Sequence, residues 1–388
     1  MNDAEALTYR RWARDTCVRN ISTQPMEALD TTRDIPRIVA LVPAHNEQKS
    51  LAGTLACLQR QSIRPDRVIV ICDNCTDNTE AVAASQGADV YLTRENTFMK
   101  AGALNQALEW LAPFADDRDV VVIIDADTYV TENFTTEAVA RFTADRRFGG
   151  LSGVYDGKRG SGFVGWCQRN EFARWGFDAR QQNGKAICLS GAASAFTVGA
   201  LRAVKAARVS GELGGGSSFY ATDNFTEDFE LTQALLHCGY HIQNMMNVTI
   251  TTAIKPTWGT LHIQRLRWNR GITETLLAYG LTRHTRLMWT KWCIYVASVV
   301  SIPLSFFLIS YRLSSGEGWH MNDWMVLWLG VTGVISLYKS VTVIRTRGAA
   351  SALVAAVLLP EILYDSFLHL TFLRSLAQVI QGANKSWR

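Results

Sequence analysis

Val120-Val-Val-Ile-Ile124 runs directly into Asp125-Ala-Asp127. Five consecutive β-branched apolar residues are too short for a helix and fit a strand buried on both faces. Carboxylates two residues apart at the end of such a strand point to the same side. Paired oxygens of that kind suit Mg2+ or Mn2+ shared with phosphates.

Working toward the amino terminus, the same grammar repeats. Arg37–Val42 reads as a strand ended by Pro43, and Ser50–Gln61 as a helix with Leu51, Leu55 and Leu58 on one face. Arg67–Cys72 is a second strand, Thr79–Ser85 a helix, Ala88–Leu92 a third strand and Ala101–Leu111 a helix. This β-α-β-α-β-α-β order predicts an α/β fold with a mostly parallel sheet covered by helices on both faces. Ligands of such sheets bind beyond the carboxyl ends of the strands. Polar clusters sit there: His45-Asn46-Glu47, Asp73 to Asp77, and Asp125 to Asp127. No GxGxxG follows the first strand and no GxxxxGK[ST] occurs, which disfavours a dinucleotide oxidoreductase and a P-loop ATPase. Acidic strand ends suit a nucleotide held through base, ribose and a metal-bound diphosphate.

The 388 residues are 48% hydrophobic, with a mean hydropathy of +0.01. That average hides unlike parts. From Lys291 onward eight basic residues face four acidic ones, so the tail holds the whole net charge of +4. Of the 39 basic and 35 acidic residues, 31 of each remain in the first 290. A neutral body argues against a nucleic-acid partner.

The tail is also where the apolar runs lie. Trp292–Tyr311 is 20 residues without a charge, long enough for about 30 Å of helix, the thickness of a hydrocarbon core. Trp324–Ile344 is broken only by Lys339, which can snorkel. The third element, about 348–373, contains Glu361, Asp365 and His369. It is either a functional span or a bend at Pro360 followed by an interfacial helix. The first 36 residues carry scattered Arg and Asp and no apolar stretch, so no signal peptide is expected and the body should stay cytosolic. The predicted division is a helical extension over 1–35, a catalytic domain over 36–258, amphipathic interfacial helices over 259–290, and a membrane domain over 291–388. The chain is thus expected to be an integral protein of the plasma or inner membrane. Eight scattered cysteines are expected to be reduced; the Cys72/Cys75 pair has no partner pair at zinc spacing, so neither zinc nor redox chemistry is assigned to it.

Six motifs follow in order: Val42-Pro-Ala-His-Asn-Glu47, Cys72-Asp-Asn-Cys-Thr-Asp-Asn-Thr79, Lys100-Ala-Gly-Ala-Leu-Asn105, Asp125-Ala-Asp127, Thr226-Glu-Asp228 and Gln264-Arg-Leu-Arg-Trp268. Together they resemble the series of family 2 glycosyltransferases of the GT-A fold. More narrowly, they are similar to the membrane-bound processive branch, the cellulose, chitin, hyaluronan and poly-N-acetylglucosamine synthases. The resemblance covers about residues 36–280.

It implies a UDP-sugar donor, bound by Pro43, Ala44, Glu47, Asp73, Lys100, Asn105, Asp125, Ala126, Asp127, Gln264 and Arg267. Asp73 would read uracil or ribose, with Glu47 beside it. Asp127 would bind the Mg2+ or Mn2+ cofactor, and Arg267 would grip the diphosphate. Asp228 would be the general base of an inverting transfer, with Glu227 in support. Ser190 and Gly191 would form a small-residue acceptor loop, and Trp268 would pack against the acceptor sugar. Each assignment has a plainer counterpart. Asp77, Asn78 and Thr79 suit turn formation and helix capping. Asp228 is also a favourable acid for the start of the helix read over Phe229–Leu236. Trp268 lies on an apolar stripe with Ile272, Leu276 and Tyr279 and could be an interfacial anchor.

Three departures stand out. Met99 replaces the family's glycine before the lysine. Gly211-Glu-Leu-Gly-Gly-Gly-Ser-Ser218 lengthens the segment before Thr226-Glu-Asp228, as a mobile loop or a longer turn. Amino-terminal membrane helices common in the branch are not seen, which leaves a thin wall for a polymer channel; a homo-oligomer or a short product would resolve this. The expected function is therefore sugar transfer from UDP-GlcNAc, or secondly UDP-glucose, to a growing β-linked polysaccharide at the lipid bilayer. The alternatives are single transfer to a lipid-linked acceptor and, in another class, an inactive nucleotide-sugar sensor or scaffold.

Overall fold

The structure, a computed structural model, describes residues 21, 35–315, 330, 333, 334, 337–342 and 358–382. These fall into two compact units. One comprises residues up to 158 with 179–253, and the other 159–178 with the residues from 254 on. The expected extension over 1–35 lies outside the described residues except for Ile21 and Ile35.

The first unit is built on one sheet of eight strands in the order β3-β2-β1-β4-β7-β6-β8-β5. The strands are β1 (Ile38–Ala44), β2 (Arg67–Cys72), β3 (Asp89–Leu92), β4 (Val120–Ile124), β5 (Tyr129–Val130), β6 (Phe148–Gly157), β7 (Ala193–Thr197) and β8 (His241–Thr252). Strands β1 to β4 pair in parallel, as their alternation with helices requires. The expectation of a mostly parallel sheet holds there and for β6, which pairs with β8 in parallel; the antiparallel strands are the correction to it. Strand β7 runs antiparallel to both β4 and β6, and β5 antiparallel to β8. The sheet is mixed.

Period-two alternation divides the core. Val39, Leu41, Ile69, Ile71, Val121 and Ile123 face one side. There they meet α3 (Met99–Leu111), α6 (Val198–Val209) and α7 (Glu227–His237). Ile38, Ala40, Val42, Val70, Val122 and Ile124 face the other. Their partners come from α1 (Leu51–Gln59), α2 (Thr79–Ser85) and α4 (Phe134–Ala144). Helices thus cover both faces. Pro43 does not end β1; it pairs with Ile71 inside the ladder. Pairing of β1 with β4 stops at Leu41, so the missing N–H of Pro43 falls where one side of the strand is already unpaired.

The second unit contains α8 (Trp258–Tyr279), α9 (Arg286–Ser314) and α10 (Leu358–Ile380), with most of α5 (Gly162–Gln181). Thr257 and Thr260 form a reciprocal capping box at the start of α8. Val164, Cys167, Leu261 and Tyr364 pack together in this unit. The run 292–311 lies on α9, although many of its side chains fall outside the described residues. Most of 324–344 and the stretch 348–357 also fall outside them; 358–373 is helical within α10. Among the described residues no helix is long and apolar enough to cross a membrane.

Candidate active site

The site grows from the end of β4, whose five residues are all buried. Asp125 N–H donates to the carbonyl of Ala192 at 2.8 Å, which ties the acid turn to the loop before β7. The hydroxyl of Thr54, on α1, donates to the carbonyls of Ala126 (2.9 Å) and Thr128 (3.1 Å) and holds the same turn from the opposite side. Ala126 is 3% exposed, so of the three residues only the two acids reach outward.

Lys100 stands in the first turn of α3. Its Nζ lies 2.5 Å from Asp125 Oδ1, 2.6 Å from the carbonyl of Gly191 and 3.9 Å from Glu227 Oε1. Met99, just before it, has φ +51°. That is the left-handed region where a glycine carries no Cβ penalty. The departure from the motif is therefore accommodated as a strained methionine rather than as a different turn.

Glu227 and Asp228 open α7, where the helix dipole favours acids. Asp228 Oδ1 accepts from the N–H of Phe229 at 2.8 Å. Burial pushes its carboxyl up to about 7; the charge of Glu227 adds to this and Lys100 opposes it. Burial also raises Asp125, to about 6, against the pull of Lys100. Gly191 explains why a small residue precedes β7: a Cβ there would stand 2.6 Å from Asp228 Oδ2. The structure thus gathers Lys100, Ser190, Gly191, Glu227 and Asp228 around one small cavity, with Asp125 paired to Lys100. The Ser190 hydroxyl is turned toward its own turn, accepting from the N–H groups of Ala192 and Ala193 at 3.1 and 3.2 Å.

The ends of β1 and β2 meet beside one another. Asp73 N–H donates to the carbonyl of Ala44 at 2.9 Å. The Asp73 side chain is buried in the turn, and its Oδ1 accepts from Thr93 Oγ1 (2.8 Å) and Asn74 Nδ2 (3.2 Å). The Glu47 carboxylate accepts from the Ser50 hydroxyl. Asn46 and Asn74 take positive φ values of 59° and 49°, as asparagine tolerates in tight turns. Asp77 Oδ1 accepts from the N–H of Thr79 at 3.0 Å in the turn before α2, whose N-cap residue Asn78 makes no side-chain cap bond. Cys72 and Cys75 are free thiols.

Asn105 is buried and uses both ends of its amide on Tyr220: Nδ2 donates to the carbonyl (2.9 Å) and Oδ1 accepts from the N–H (2.8 Å). The glycine-rich segment before it is anchored as well. Arg208 donates to the carbonyl of Gly214 and pairs with Glu230 at 2.5 Å, both side chains being almost fully buried.

Asp127 is half-buried, with one bond from Thr128 Oγ1 at 3.3 Å. Among the described residues no three of His, Cys, Asp and Glu are grouped to cage a metal. One or two carboxylates completed by a diphosphate make a different donor set, and Asp127 with Asp125 fits that one. Gln264, Arg267 and Trp268 form their own group on α8 in the second unit, Arg267 exposed and the others half-buried.

Three contributors were not read from the sequence. Thr54 and Tyr220 act through backbone contacts that no motif marks. Lys158 Nζ donates to the carbonyl of Asp127 at 2.6 Å and lies 4.2 Å from the centre of the Tyr129 ring. It comes 31 positions after its partner, so only the sheet brings it there.

Comparison with known proteins identifies the family of the chain. The model of the glycosyltransferase like family 2 matches residues 36–271, and the chain belongs to that family. A poly-beta-1,6-N-acetyl-D-glucosamine synthase of Staphylococcus aureus (strain COL) is 24% identical over 284 residues, 72% of this chain and 65% of that protein. The Staphylococcus epidermidis protein of the same name is 24% identical over 251 residues, 63% and 57% of the two chains. The chain therefore spans less than two thirds of the length of these curated relatives. In fold it is similar to a mannosyltransferase from Pyrobaculum calidifontis, solved with GDP-Man and Mn2+. The TM-score is 0.55 at 20% identity, over 91% of this chain and 94% of that one.

Proposed function

We propose that this family 2 glycosyltransferase transfers a sugar with inversion from a UDP-sugar, UDP-GlcNAc first and UDP-glucose second, to a growing β-linked polysaccharide at a membrane. The observation that carries the proposal is the grouping of a half-buried Asp228 and Glu227 with Lys100, itself paired to Asp125 at the end of β4. The kinship with poly-beta-1,6-N-acetyl-D-glucosamine synthases supports the choice of donor and product.

In this reading Asp228 removes the proton of an acceptor hydroxyl as that oxygen attacks the anomeric carbon. The bond from that carbon to the diphosphate breaks, and UDP leaves. A base with a pKa near the working pH suits the step. Gly191 keeps the space before Asp228 open, and Glu227 raises its proton affinity. Lys100 holds Asp125 and presents positive charge where the diphosphate departs. Asp73 and Glu47 receive the uridine, with Pro43 and Ala44 as its floor. Asn105 acts through Tyr220. Asp127, with Asp125, would hold a Mg2+ or Mn2+, which when bound offsets the charge of the leaving diphosphate. Gln264 and Arg267 serve the diphosphate and Trp268 the acceptor.

The tail attaches the enzyme to the bilayer, with the catalytic unit on the cytosolic side. The apolar run 292–311 supports this, as do the large apolar side chains left exposed on α9 and α10: Ile294, Phe307, Leu363, Leu370 and Ile380. The test is a panel of UDP-sugars given to the purified full chain with Mg2+ or Mn2+, reading UDP release and product length together. Release from UDP-GlcNAc with a lengthening product is expected. A product carrying one added sugar would overturn the polymer reading in favour of single transfer, and inactivity with every donor would overturn both.

A further inference from the structure

On α8 the position after Gln264 is Arg265, and it is buried although no motif role falls to it. Its guanidinium lies 4.4 Å from the centre of the Trp268 ring and 5.5 Å from that of Trp175, on α5. The two indoles are themselves neighbours, with centroids 6.4 Å apart and planes inclined at 44°. Arg265 therefore backs both rings at once. It is fixed there by Glu171, whose Oε2 accepts from Arg265 Nη2 at 2.6 Å and from the Tyr364 hydroxyl at 2.7 Å. A planar cation stacked on two rings and tethered by a buried carboxylate removes their freedom to rotate. Trp175 nevertheless keeps 38% of its surface exposed. Part of the Trp175 indole is thus open to solvent beside a rigid, charged support.

We propose that Trp175 and Trp268 together form a two-ring platform for a pyranose unit of a saccharide, with Arg265 as its positioning residue. The chemistry of the rim favours a sugar. Gln264 lies one turn before Trp268, so an amide stands beside the rings, while the Asp178 carboxylate, three residues after Trp175, accepts from the Tyr338 hydroxyl. Apolar C–H faces edged by hydroxyls match that combination of flat apolar surface and hydrogen-bonding edge. A bilayer does not: α5 carries Arg169, Glu171, Arg174, Asp178 and Arg180, which are costly in hydrocarbon. The platform deepens the acceptor assignment of Trp268 and rests on that part of the proposed function, to which it adds Trp175, Arg265 and Glu171.

The experiment is calorimetric binding of N-acetylglucosamine pentamers, β-1,4- and β-1,6-linked, to the purified full chain in detergent, without donor. Trp175→Ala is expected to weaken binding about tenfold, and Trp175→Phe to restore most of it. Arg265→Lys, which keeps the charge but not the flat guanidinium, is expected to raise the apparent KM for the pentamer at constant kcat. Wild-type-like affinity in Trp175→Ala, or no pentamer binding by the wild type, overturns the platform. Loss of sedimentation with phosphatidylglycerol vesicles in Trp175→Ala, with saccharide binding kept, makes the pair a membrane anchor and overturns it too. Binding that depends on Trp175 without sugar transfer from any UDP-sugar leaves the platform standing and removes the polysaccharide synthase reading.

Discussion

Asp228→Asn is expected to abolish turnover and yet to stabilise the protein above pH 7. Burial, with the neighbouring charge of Glu227, lifts the Asp228 carboxyl from the ordinary 3.8 to about 7. The folded state thus holds this proton more tightly than the unfolded chain does. Between those two pH values the folded state binds more protons, so the contribution is fully present below 3.8 and is lost as pH rises through 7. A rise of about three pH units corresponds to up to about 4 kcal/mol. Partial access to solvent in the cleft screens this to about 1–3 kcal/mol. Asparagine resembles the protonated acid and has no such loss. The advantage of the variant over wild type should be small at pH 5 and grow to that size at pH 8. The measurement is thermal unfolding of both proteins in the same detergent at pH 5, 6.5 and 8. At about 2–4 °C per kcal/mol the gap opens by several degrees. Other titrating groups cancel in the difference between the two proteins. An identical gap at pH 5 and pH 8, or a variant less stable at pH 8, would refute the reasoning. In parallel, wild-type kcat/KM should climb through about pH 7, and the variant should lose about 10²–10⁴ in rate.

Gly191→Ala places a Cβ 2.6 Å from Asp228 Oδ2 and should lower kcat at least about tenfold while calorimetric UDP affinity changes little. Lys100→Met removes the partner of Asp125 and should weaken UDP-sugar binding by about 2 kcal/mol in the same assay, with Lys100→Arg partly restoring it. Met99→Gly releases a positive φ and should raise the unfolding temperature by the equivalent of about 1 kcal/mol; an unchanged or lower value would mean that the turn is not strained. Arg208→Met leaves Glu230 buried without its cation and should cost about 3–5 kcal/mol by chemical denaturation, most of it recovered in the Arg208→Met, Glu230→Met double variant.

The half of the sheet that could be read in advance is the half whose instructions are local. Val120–Ile124, Arg67–Cys72 and the helices between them carry their own period, and short parallel crossovers leave few ways to assemble them. Strand β7 does not announce its direction. Ala193-Ser-Ala-Phe-Thr197 is short and weakly patterned, and it pairs antiparallel with β4 and β6 even though the long α5 precedes it. The second unit's claim on residues 159–178 is equally silent in the sequence.

By itself the sequence determined the strand–helix alternation, the acids at the strand ends, the neutral body with its basic apolar tail, and the order of motifs that marks the family. Tertiary structure alone decided which of these groups meet. Lys100, Gly191 and Asp228 are far apart in the chain, and only the order of strands in the sheet sets Lys100 2.6 Å from the Gly191 carbonyl. The proton affinity of Asp228 follows from the same assembly. It reflects lost water and the charges of Glu227 and Lys100, quantities that depend on distance through space, whereas periodicity along a chain records only which face of an element is turned inward.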